Sequence, residues 1–412
     1  MKTERMKQIL LPLMLCAALA TQAQKTITIK VTNPINKERT DIPVVINLAS
    51  YGEVCSASVK ANNQEIPYQL DDLNNDHTFD ELCFLVDLKG KETRDYEVIL
   101  LNEGKPHTYP PRVYAEMVVR NEKVKQKNKH DNYINAITAN GNVNSYNMLH
   151  HHGVAFESEL NGIRIYFDKR QTLDLYGKRY KRLEIKDTQF YTQPDQKTAG
   201  YGDDVLWVGN SFGLGALRGW NGQEPTMIEP VKTRSQRILA NGPLRTIIEI
   251  NDYDWTLPVS KKDAEITIRY TQYAGHRDTD VDVSIINTSD HTTDIEPFST
   301  GIINIKGSVE YSDHHGLRGC WGTDYPASDT INWKRETVGL GIFIPKDYLD
   351  SEIPANKDNY TFVIKSKRNK LSYKIAYTSD NEDFGLHSAK DWFAWLKTWR
   401  REIENPIKIA IQ

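Results

Sequence analysis

The chain has 412 residues, of which 39% are apolar and 26% are charged, and its formal net charge is −3. This length predicts two or three domains of ordinary size, and the apolar fraction is sufficient for a core, which excludes global disorder. The near-neutral charge argues against nucleic acid as a partner, and no apolar run of membrane-spanning length follows the N-terminal region.

Residues 1–23 have the layout of a secretory signal peptide. Basic residues begin the segment, a short apolar stretch follows, and small residues precede a cleavage position near Ala23. Cys16 follows the bulky Leu15, which disfavours lipid attachment. We therefore expect a periplasmic or secreted protein without a membrane span.

The cysteines after Ala23 are Cys55, Cys83 and Cys320, and they form no C-x-x-C motif. A zinc-thiolate site is therefore not expected. Two alternatives remain open, a Cys55–Cys83 disulfide formed in an oxidising compartment or three buried thiols.

Residues 25–110 have the pattern of a small β-sandwich. Short β-branched runs such as 41–48 are bounded by turn-forming residues, and no segment with helical periodicity separates them. Residues 111–132 follow Pro110 and contain a run of basic residues, which indicates a linker or exposed loop.

Residues 133–412 are also rich in strands, and their regular spacing predicts a large two-layer β domain. A cleft between its long sheets would accommodate an extended oligomer. One C-terminal helix is expected over 388–403, with Ser388 as its N-cap. Its tryptophans fall on one face and are expected to pack in the core.

The segment 148–180 is the richest in groups suited to sugar-acid chemistry. His150, His151 and His152 are consecutive, and in a strand 150 and 152 would point to one face and 151 to the other. Arginine binds a carboxylate through two nitrogens, and histidine moves a proton. The alternative is a pair of polar strands with ordinary cross-strand ion pairs. The residues predicted to be catalytic here are His151, His152, Glu157, Glu159 and Arg164.

The segment 199–224 is rich in glycine but contains no phosphate-loop motif. We interpret it as loops that let backbone and aromatic rings approach a ligand, the alternative being ordinary turns around core tryptophans. Tryptophan stacks on sugar rings, and arginine and aspartate bind carboxylates and hydroxyls. The residues predicted to bind substrate are Tyr201, Asp203, Arg218 and Trp220.

The segment 270–282 places Tyr273, His276 and Arg277 near a hairpin tip at Gly275. Tyr273 and His276 are candidate proton carriers, and Arg277 is a candidate substrate ligand. Alternating aspartates follow on one strand face, and repulsion among them would be relieved by pairing or by calcium. These aspartates are Asp278, Asp280 and Asp282.

The segment 311–326 is turn-rich and contains His314, His315 and Trp321, which are further candidates for substrate binding. The chain contains no G-x-S-x-G, H-E-x-x-H or P-loop motif. No metal-ligating set and no cofactor are predicted, apart from the calcium alternative.

The runs LHHHGVAFESELNGIRIYFDKRQTLDLYGK, AGYGDDVLWVG, RGWNGQEP and YAGHRDTDVDV resemble a family of secreted Bacteroidetes proteins described as a domain of unknown function. The resemblance extends over most of the chain. It implies a setting among genes that degrade uronate-containing polysaccharides. The large domain also resembles the galactose-mutarotase-like β-supersandwich, a fold that serves sugar epimerases, polysaccharide lyases and glycoside hydrolases. No catalytic residue is carried over from either resemblance.

We therefore expect a periplasmic carbohydrate-active enzyme that cleaves uronate-containing oligosaccharides by β-elimination. Arg164 or Arg218 would neutralise the carboxylate, and a histidine or Tyr273 would move protons. The alternatives are a glycoside hydrolase with Glu157 or Glu159 as the acid, a non-catalytic sugar-binding protein, and a sugar epimerase. All of them require the four segments to meet in one trough.

Overall fold

The computed structural model describes residues 24–121, 130–141, 143–188, 190–288 and 296–412. Stacked β-sheets make up most of these ranges, and the all-β prediction is confirmed. None of the helices within them is both long enough and apolar enough to cross a membrane. The predicted signal peptide lies outside the described residues.

The leading part of the chain forms a β-sandwich. Its strands alternate buried apolar residues, such as Ile29, Val44 and Val98, with more exposed ones. The apolar sides of the two sheets face each other and form a separate core. The strands are β1 (Gln24–Thr32), β2 (Arg39–Asn47), β3 (Ser56–Ala61), β4 (Gln64–Ile66), β5 (Tyr68–Asp71), β6 (Glu81–Leu88) and β7 (Thr93–Leu101).

The remaining strands form the large domain, except that the last one joins the leading sandwich. Up to the middle of the chain they are β8 (Val113–Glu116), β9 (Val118–Arg120), β10 (His130–Tyr133), β11 (Ala136–Asn140), β12 (Gly153–Ser158), β13 (Gly162–Tyr166), β14 (Leu173–Gly177), β15 (Asp203–Asp204), β16 (Arg218–Trp220) and β17 (Pro225–Thr226). They continue with β18 (Thr233–Asn241), β19 (Arg245–Thr256), β20 (Asp263–Tyr273), β21 (Asp278–Asn287), β22 (Phe298–Ile303), β23 (Val309–Ser312), β24 (Leu317–Asp324), β25 (Glu336–Phe343), β26 (Leu349–Glu352), β27 (Asn359–Ile364), β28 (Lys370–Ser379) and β29 (Lys408–Ile411).

The large domain is a sandwich of two layers, as predicted. One layer is the long sheet, in the order β11-β18-β19-β20-β21-β28-β25-β24-β23. The other layer contains the short sheet, β15-β14-β13-β12-β8, and the edge sheet, β17-β16-β22-β27-β26. A single apolar core that includes Phe156, Ile268 and Phe362 joins the layers.

The helices are α1 (Pro194–Thr198) and α2 (Ala389–Glu404), together with a 3₁₀ turn at His150–His152. The Ser388 hydroxyl accepts a hydrogen bond from the Asp391 backbone N–H at 3.1 Å, which confirms the predicted N-cap of α2. The predicted core packing of α2 is also confirmed, because Trp392, Leu396 and Trp399 are buried. The sequence pattern did not predict α1 or the 3₁₀ turn.

The predicted domain boundaries need two corrections. The interval 111–132 contains β8 and β9, and β8 pairs with β12 inside the short sheet because Ala115 and Met117 are buried in the core. The rest of that interval, at 122–129, lies outside the described residues. Strand β29 pairs with β1, so residues 408–411 belong to the leading sandwich.

Of the two alternatives for the cysteines, the structure has no Cys55–Cys83 disulfide, and the three described cysteines are free thiols. Cys83 and Cys320 are buried, whereas Cys55 is half-buried. Burial raises the pKa of the Cys83 and Cys320 thiols to about 12, which keeps both protonated.

Candidate functional site

One face of the short sheet is polar although it is buried. Its opposite face carries Val154, Phe156 and Ile163 and packs into the core. Direct cross-strand partners point to the same face of a sheet. One polar row is Glu116, Ala155, Arg164 and Asp174, and the next is Tyr114, Glu157, Gly162, Tyr176 and Asp204.

The polar face is buried because residues 178–188 and 190–202, here called the covering segment, lie over it. The Glu157 carboxylate accepts hydrogen bonds from the backbone N–H groups of Glu184 at 2.9 Å and Ile185 at 2.8 Å. It also forms an ion pair with Lys178, and both side chains are fully buried. Glu157 therefore anchors the covering segment, and its predicted role as a catalytic acid is corrected, because substrate has no access to it.

Arg164 is likewise buried and has a structural role. Its guanidinium donates to Asp174 at 2.8 Å, lies 3.3 Å from Asp204 and donates to the Phe190 carbonyl at 2.7 Å. Burial, followed by the neighbouring Asp174 carboxylate, raises the pKa of Asp204 well above its ordinary value. The prediction that Arg164 neutralises a substrate carboxylate is corrected, because its charge is already paired beneath the covering segment.

The three consecutive histidines form a strained turn instead of the predicted strand. His151 and His152 have φ angles of 58° and 60°, in the left-handed region that non-glycine residues rarely adopt. Gly153 ends the turn where a Cβ atom would lie 1.9 Å from the Ile165 carbonyl oxygen, so only glycine fits. The turn sends His151 into the interior, where it is 1% exposed, and its predicted contact with substrate is corrected.

His152 is only partly buried and faces a group of aromatic rings. Its imidazole stacks on Tyr146 with ring centroids 3.6 Å apart and planes 3° apart. Its Nδ1 lies 2.8 Å from the Tyr146 carbonyl oxygen, and its Nε2 has no hydrogen-bond partner in the described chain. Burial lowers the pKa of His152 to about 4, so the ring is neutral at pH 7.

Successive ring contacts extend from His152 in both directions and form what we call the ring strip. On one side the Arg170 guanidinium lies 5.0 Å from the Tyr146 ring centroid. On the other side the centroid distances are 4.3 Å from His152 to Phe190, 4.9 Å from Phe190 to Tyr191, and 4.8 Å from Tyr191 to Trp333. The strip therefore comprises Arg170, Tyr146, His152, Phe190, Tyr191 and Trp333.

Each end of the ring strip borders a cavity. Arg170 lines a cavity of about 640 Å³ together with Trp207, which is 50% exposed. Trp333 lines a cavity of about 630 Å³ together with Tyr201 and Asp203, two residues predicted to bind substrate. Aromatic faces next to polar groups in such clefts are suited to sugar rings.

Cationic groups lie at both ends of the ring strip. The Arg170 guanidinium is held by the Asp168 carboxylate through Nε at 2.8 Å and through Nη2. The Lys197 ammonium lies 4.3 Å from the Trp333 ring centroid and forms an ion pair with Asp203. These positions are suited to anionic substituents on a ligand.

Arg218 and Trp220 lie apart from the ring strip. The Arg218 guanidinium is buried and donates to the Leu217 carbonyl at 3.0 Å and to the Thr172 hydroxyl at 3.0 Å. The predicted binding role of Arg218 is corrected, because these bonds bind it to the protein interior. Trp220 is half-buried on the edge sheet, where it pairs with Pro225.

Tyr273, His276 and Arg277 line a different cavity, of about 460 Å³, between the leading sandwich and α2. The His276 imidazole contacts the Asp278 carboxylate at 2.9 Å and the Asp41 carbonyl at 2.8 Å. These residues join the two parts of the chain, so this segment does not meet the polar face of the short sheet.

The calcium alternative at the three aspartates is also corrected. Asp278 accepts from the Trp399 indole at 2.9 Å as well as from His276, and Asp280 forms an ion pair with Lys374. Protein groups therefore balance two of the carboxylates, and the third, Asp282, is exposed.

The remaining predicted residues are also dispersed. His314 and His315 are exposed, and His314 lies 3.4 Å from Glu352. Trp321 packs with α2. Glu159 pairs with Arg112 at 2.6 Å, which is a structural contact near the leading sandwich. The single trough formed from all four segments is therefore not observed, and among the residues predicted from them His152, Tyr201 and Asp203 lie in the ring strip or in a cavity at its end.

Sequence reasoning missed most of the ring strip. Tyr146 lies just before the histidines, Tyr191 and Trp333 lie in turn-rich stretches, and none of them belongs to a recognisable motif. Glu116, which contacts His150, was assigned to the linker. The sequence signal for these residues was that the turns contain aromatic rings, and this signal does not show which rings contact one another.

Comparisons with known proteins place the chain in a family. A family model described as Domain of unknown function (DUF4861) matches residues 31–409. None of the curated proteins matches the chain in sequence.

Two solved structures are similar to the chain at 10% sequence identity. One is an alpha-mannosidase from Enterococcus faecalis, with a TM-score of 0.47 and coverage of 94% of this chain and 46% of that chain. Another is a protein in the glycosyl hydrolase family 38 from Enterococcus faecalis, with a TM-score of 0.47 and coverage of 94% and 47%. The chain thus spans about half the length of these neighbours. The Bacteroidetes source and the galactose-mutarotase-like fold stay predictions. Because the family model covers most of its length, the chain belongs to the family described as Domain of unknown function (DUF4861).

Proposed function

We propose that the protein is a carbohydrate-active enzyme that binds an acidic oligosaccharide along the ring strip and cleaves it by β-elimination beside His152. The observation that carries the proposal is the unbroken series of rings from Arg170 to Trp333, with a cavity at either end. Aromatic faces bind the apolar faces of sugars, and the flanking cations favour carboxylate substituents.

The proton acceptor in this proposal is Nε2 of His152. A carbonyl oxygen only accepts hydrogen bonds, so the contact with the Tyr146 carbonyl assigns the ring proton to Nδ1. The lone pair is then on Nε2, which the described protein leaves without a partner. This arrangement orients a general base toward the ligand side of the strip.

Arg170 is the proposed partner of the uronate carboxylate. A uronate carboxylate bound to the Arg170 guanidinium is neutralised, which makes the C–H next to the carboxylate more acidic. His152 then takes the proton, the carbon–carbon double bond forms, and the glycosidic carbon–oxygen bond breaks. The leaving oxygen takes a proton from the Tyr146 hydroxyl. No water is consumed, and one product carries the new double bond.

The test is an incubation of the purified protein with pectic, glucuronan, alginate and arabinogalactan oligosaccharides. We expect near-ultraviolet absorbance to grow with cleavage, and product masses that sum to the substrate mass. Product masses that sum to the substrate mass plus one water, without near-ultraviolet absorbance, would show hydrolysis instead of elimination. Failure to bind or cleave any member of the panel would refute the sugar proposal.

His152→Gln isolates the proposed base. General acid–base catalysis contributes about 10²–10⁴-fold, so we expect kcat to fall by at least about 100-fold. The matched control is His314→Gln at an exposed histidine, which should retain the wild-type rate. Circular dichroism checks that both variants fold, and a folded His152→Gln variant with full turnover would contradict the assignment.

A further inference from the structure

Beneath the ring strip, the two histidines that precede His152 form a buried cluster with Glu116. Glu116, His150 and His151 each place a potential ligand atom within 4.8 Å of the others. Glu116 Oε1 lies 2.6 Å from His150 Nδ1. Ligand atoms bound at about 2.0–2.2 Å in a tetrahedral site are about 3.3–3.6 Å apart, a spacing that fits within the 4.8 Å span of the cluster.

The short sheet and the strained turn bring the cluster together. Ala155 lies between Glu116 and Arg164 in one cross-strand row. The left-handed backbone at His151 directs both imidazoles into this region, with ring centroids 3.8 Å apart. The stored backbone strain is of the kind that accumulates at binding sites.

Neighbouring groups orient the side chains of the cluster through hydrogen bonds, as they do for the ligands of a metal ion. The Tyr114 hydroxyl donates to Glu116 Oε2 at 2.9 Å, which fixes the carboxylate and leaves Oε1 toward the histidines. The Ile185 carbonyl of the covering segment lies 3.2 Å from His151 Nε2. Metal ligands are commonly fixed by such hydrogen bonds from surrounding groups.

His151 is not satisfied by the described protein alone. With Nε2 donating to the Ile185 carbonyl, the lone pair is on Nδ1, which is buried and has no partner within the described ranges. An unpaired buried polar atom costs about 1–3 kcal/mol. A cation bound by the imidazole lone pair would remove this cost.

The charge of the polar face favours a cation as well. Glu116, Asp174 and Asp204 are buried carboxylates on this face, and Arg164 is the cation that pairs with the two aspartates. Arg164 is shared by the two aspartates and Glu157 is balanced by Lys178, so Glu116 is the carboxylate of this face that pairs with no lysine or arginine among the described residues. Uncompensated buried charge is costly, and a divalent ion would neutralise it.

We propose that Glu116, His150 and His151 bind one divalent transition-metal ion, with zinc as the best match. Two imidazoles and one carboxylate form a ligand set that zinc uses, and it leaves a fourth position open. Calcium and magnesium prefer oxygen ligands alone, so the imidazoles select against them. Bound metal would stabilise the turn that presents His152 to the ring strip.

The experiment measures metal in the untagged full chain. The protein is stripped with a chelator, and zinc is then titrated by calorimetry with the metal content checked by mass spectrometry. We expect one equivalent of zinc and a thermal midpoint that rises with zinc concentration. Cobalt(II) should bind in its place and give visible absorption bands of a low-coordinate nitrogen–oxygen site.

Glu116→Gln and His151→Ala should raise the zinc Kd by at least about 100-fold, the upper end of the loss seen for outer-shell partners. The matched control is His314→Ala, which removes an exposed histidine that also lies beside a carboxylate, Glu352. Should a variant fail to fold, the wild-type titration and cobalt spectrum still decide. Wild-type protein that takes up no more zinc than Glu116→Gln, or none at all, overturns the proposal. Because no sugar is present, this result is independent of the elimination test.

Discussion

Glu157→Gln separates a structural role for this residue from a catalytic one. The change removes one charge and keeps the volume, but it leaves the Lys178 ammonium buried with only the Ser158 and Arg182 carbonyls, both at 2.6 Å. The new amide nitrogen would also face backbone N–H donors. Removing one partner of a buried ion pair costs about 3–5 kcal/mol, and we expect a loss of this size in the free energy of unfolding.

Urea unfolding followed by tryptophan fluorescence measures that loss. Hydrogen exchange of the covering segment locates it, because the same carboxylate holds the Glu184 and Ile185 backbone N–H groups. The control is Glu97→Gln, whose exposed pair with Lys60 is worth less than about 1 kcal/mol. A Glu157→Gln variant as stable as wild type, with unchanged exchange but no turnover, would refute the structural role and restore the hydrolase hypothesis.

Three further changes test the strip and the junction between domains. Trp333→Ala removes a stacking surface worth about 0.5–1.5 kcal/mol, so calorimetry should show an oligosaccharide Kd raised about 2- to 10-fold. Burial opposes charging of His276, but Asp278 outweighs it and raises the pKa of His276. The pair therefore contributes its full stabilisation below about pH 6.5, and this contribution is lost as the pH rises through the raised pKa of His276. The free energy of unfolding in urea should fall over that pH range in the wild type, and His276→Gln should remove this dependence. Arg245→Met leaves the buried Asp71 carboxylate without its cation and should cost about 3–5 kcal/mol in the same assay.

Each of these changes has a control and a result that contradicts it. Trp220→Ala, at a half-buried tryptophan away from the strip, should leave binding unchanged, and equal losses in both tryptophan variants would exclude a specific platform. Lys367→Met removes a surface pair with Asp347 and should cost at most about 1 kcal/mol, so an equal cost for Arg245→Met would show that the buried pair is not special. A pH slope that persists in His276→Gln would assign it to another group.

Local patterns predicted the elements of the fold well. The alternation of residues along the strands and the cap at Ser388 are determined by neighbouring residues, so one sequence contains that information. The domain boundaries depend on pairing between distant segments. Nothing within 408–411 indicates that this strand pairs with β1. The basic residues after Arg120 led to the prediction of a linker over an interval in which β8 is part of a sheet.

The site was predicted less well because a high density of polar residues in the sequence was taken as a sign that their side chains are accessible to substrate. Glu157 and Arg164 have the residue types of a catalytic centre, yet both are buried and paired beneath the covering segment. Only the fold determines which charged groups face solvent. His152 stays a candidate proton carrier from its segment, but most of its aromatic neighbours come from other loops that no local pattern connects.

The buried charges and the accessible rings depend on each other. Phe190 and Tyr191 belong to the covering segment. The Phe190 carbonyl accepts a hydrogen bond from Arg164, and Glu157 accepts one from the Glu184 backbone N–H earlier in the segment. The polar face therefore does not bind sugar itself but holds in place the aromatic residues proposed to do so. It follows that substitutions beneath the segment should weaken ligand binding without touching the ligand. The increase in Kd that each substitution causes should therefore follow the increase in hydrogen exchange of the covering segment.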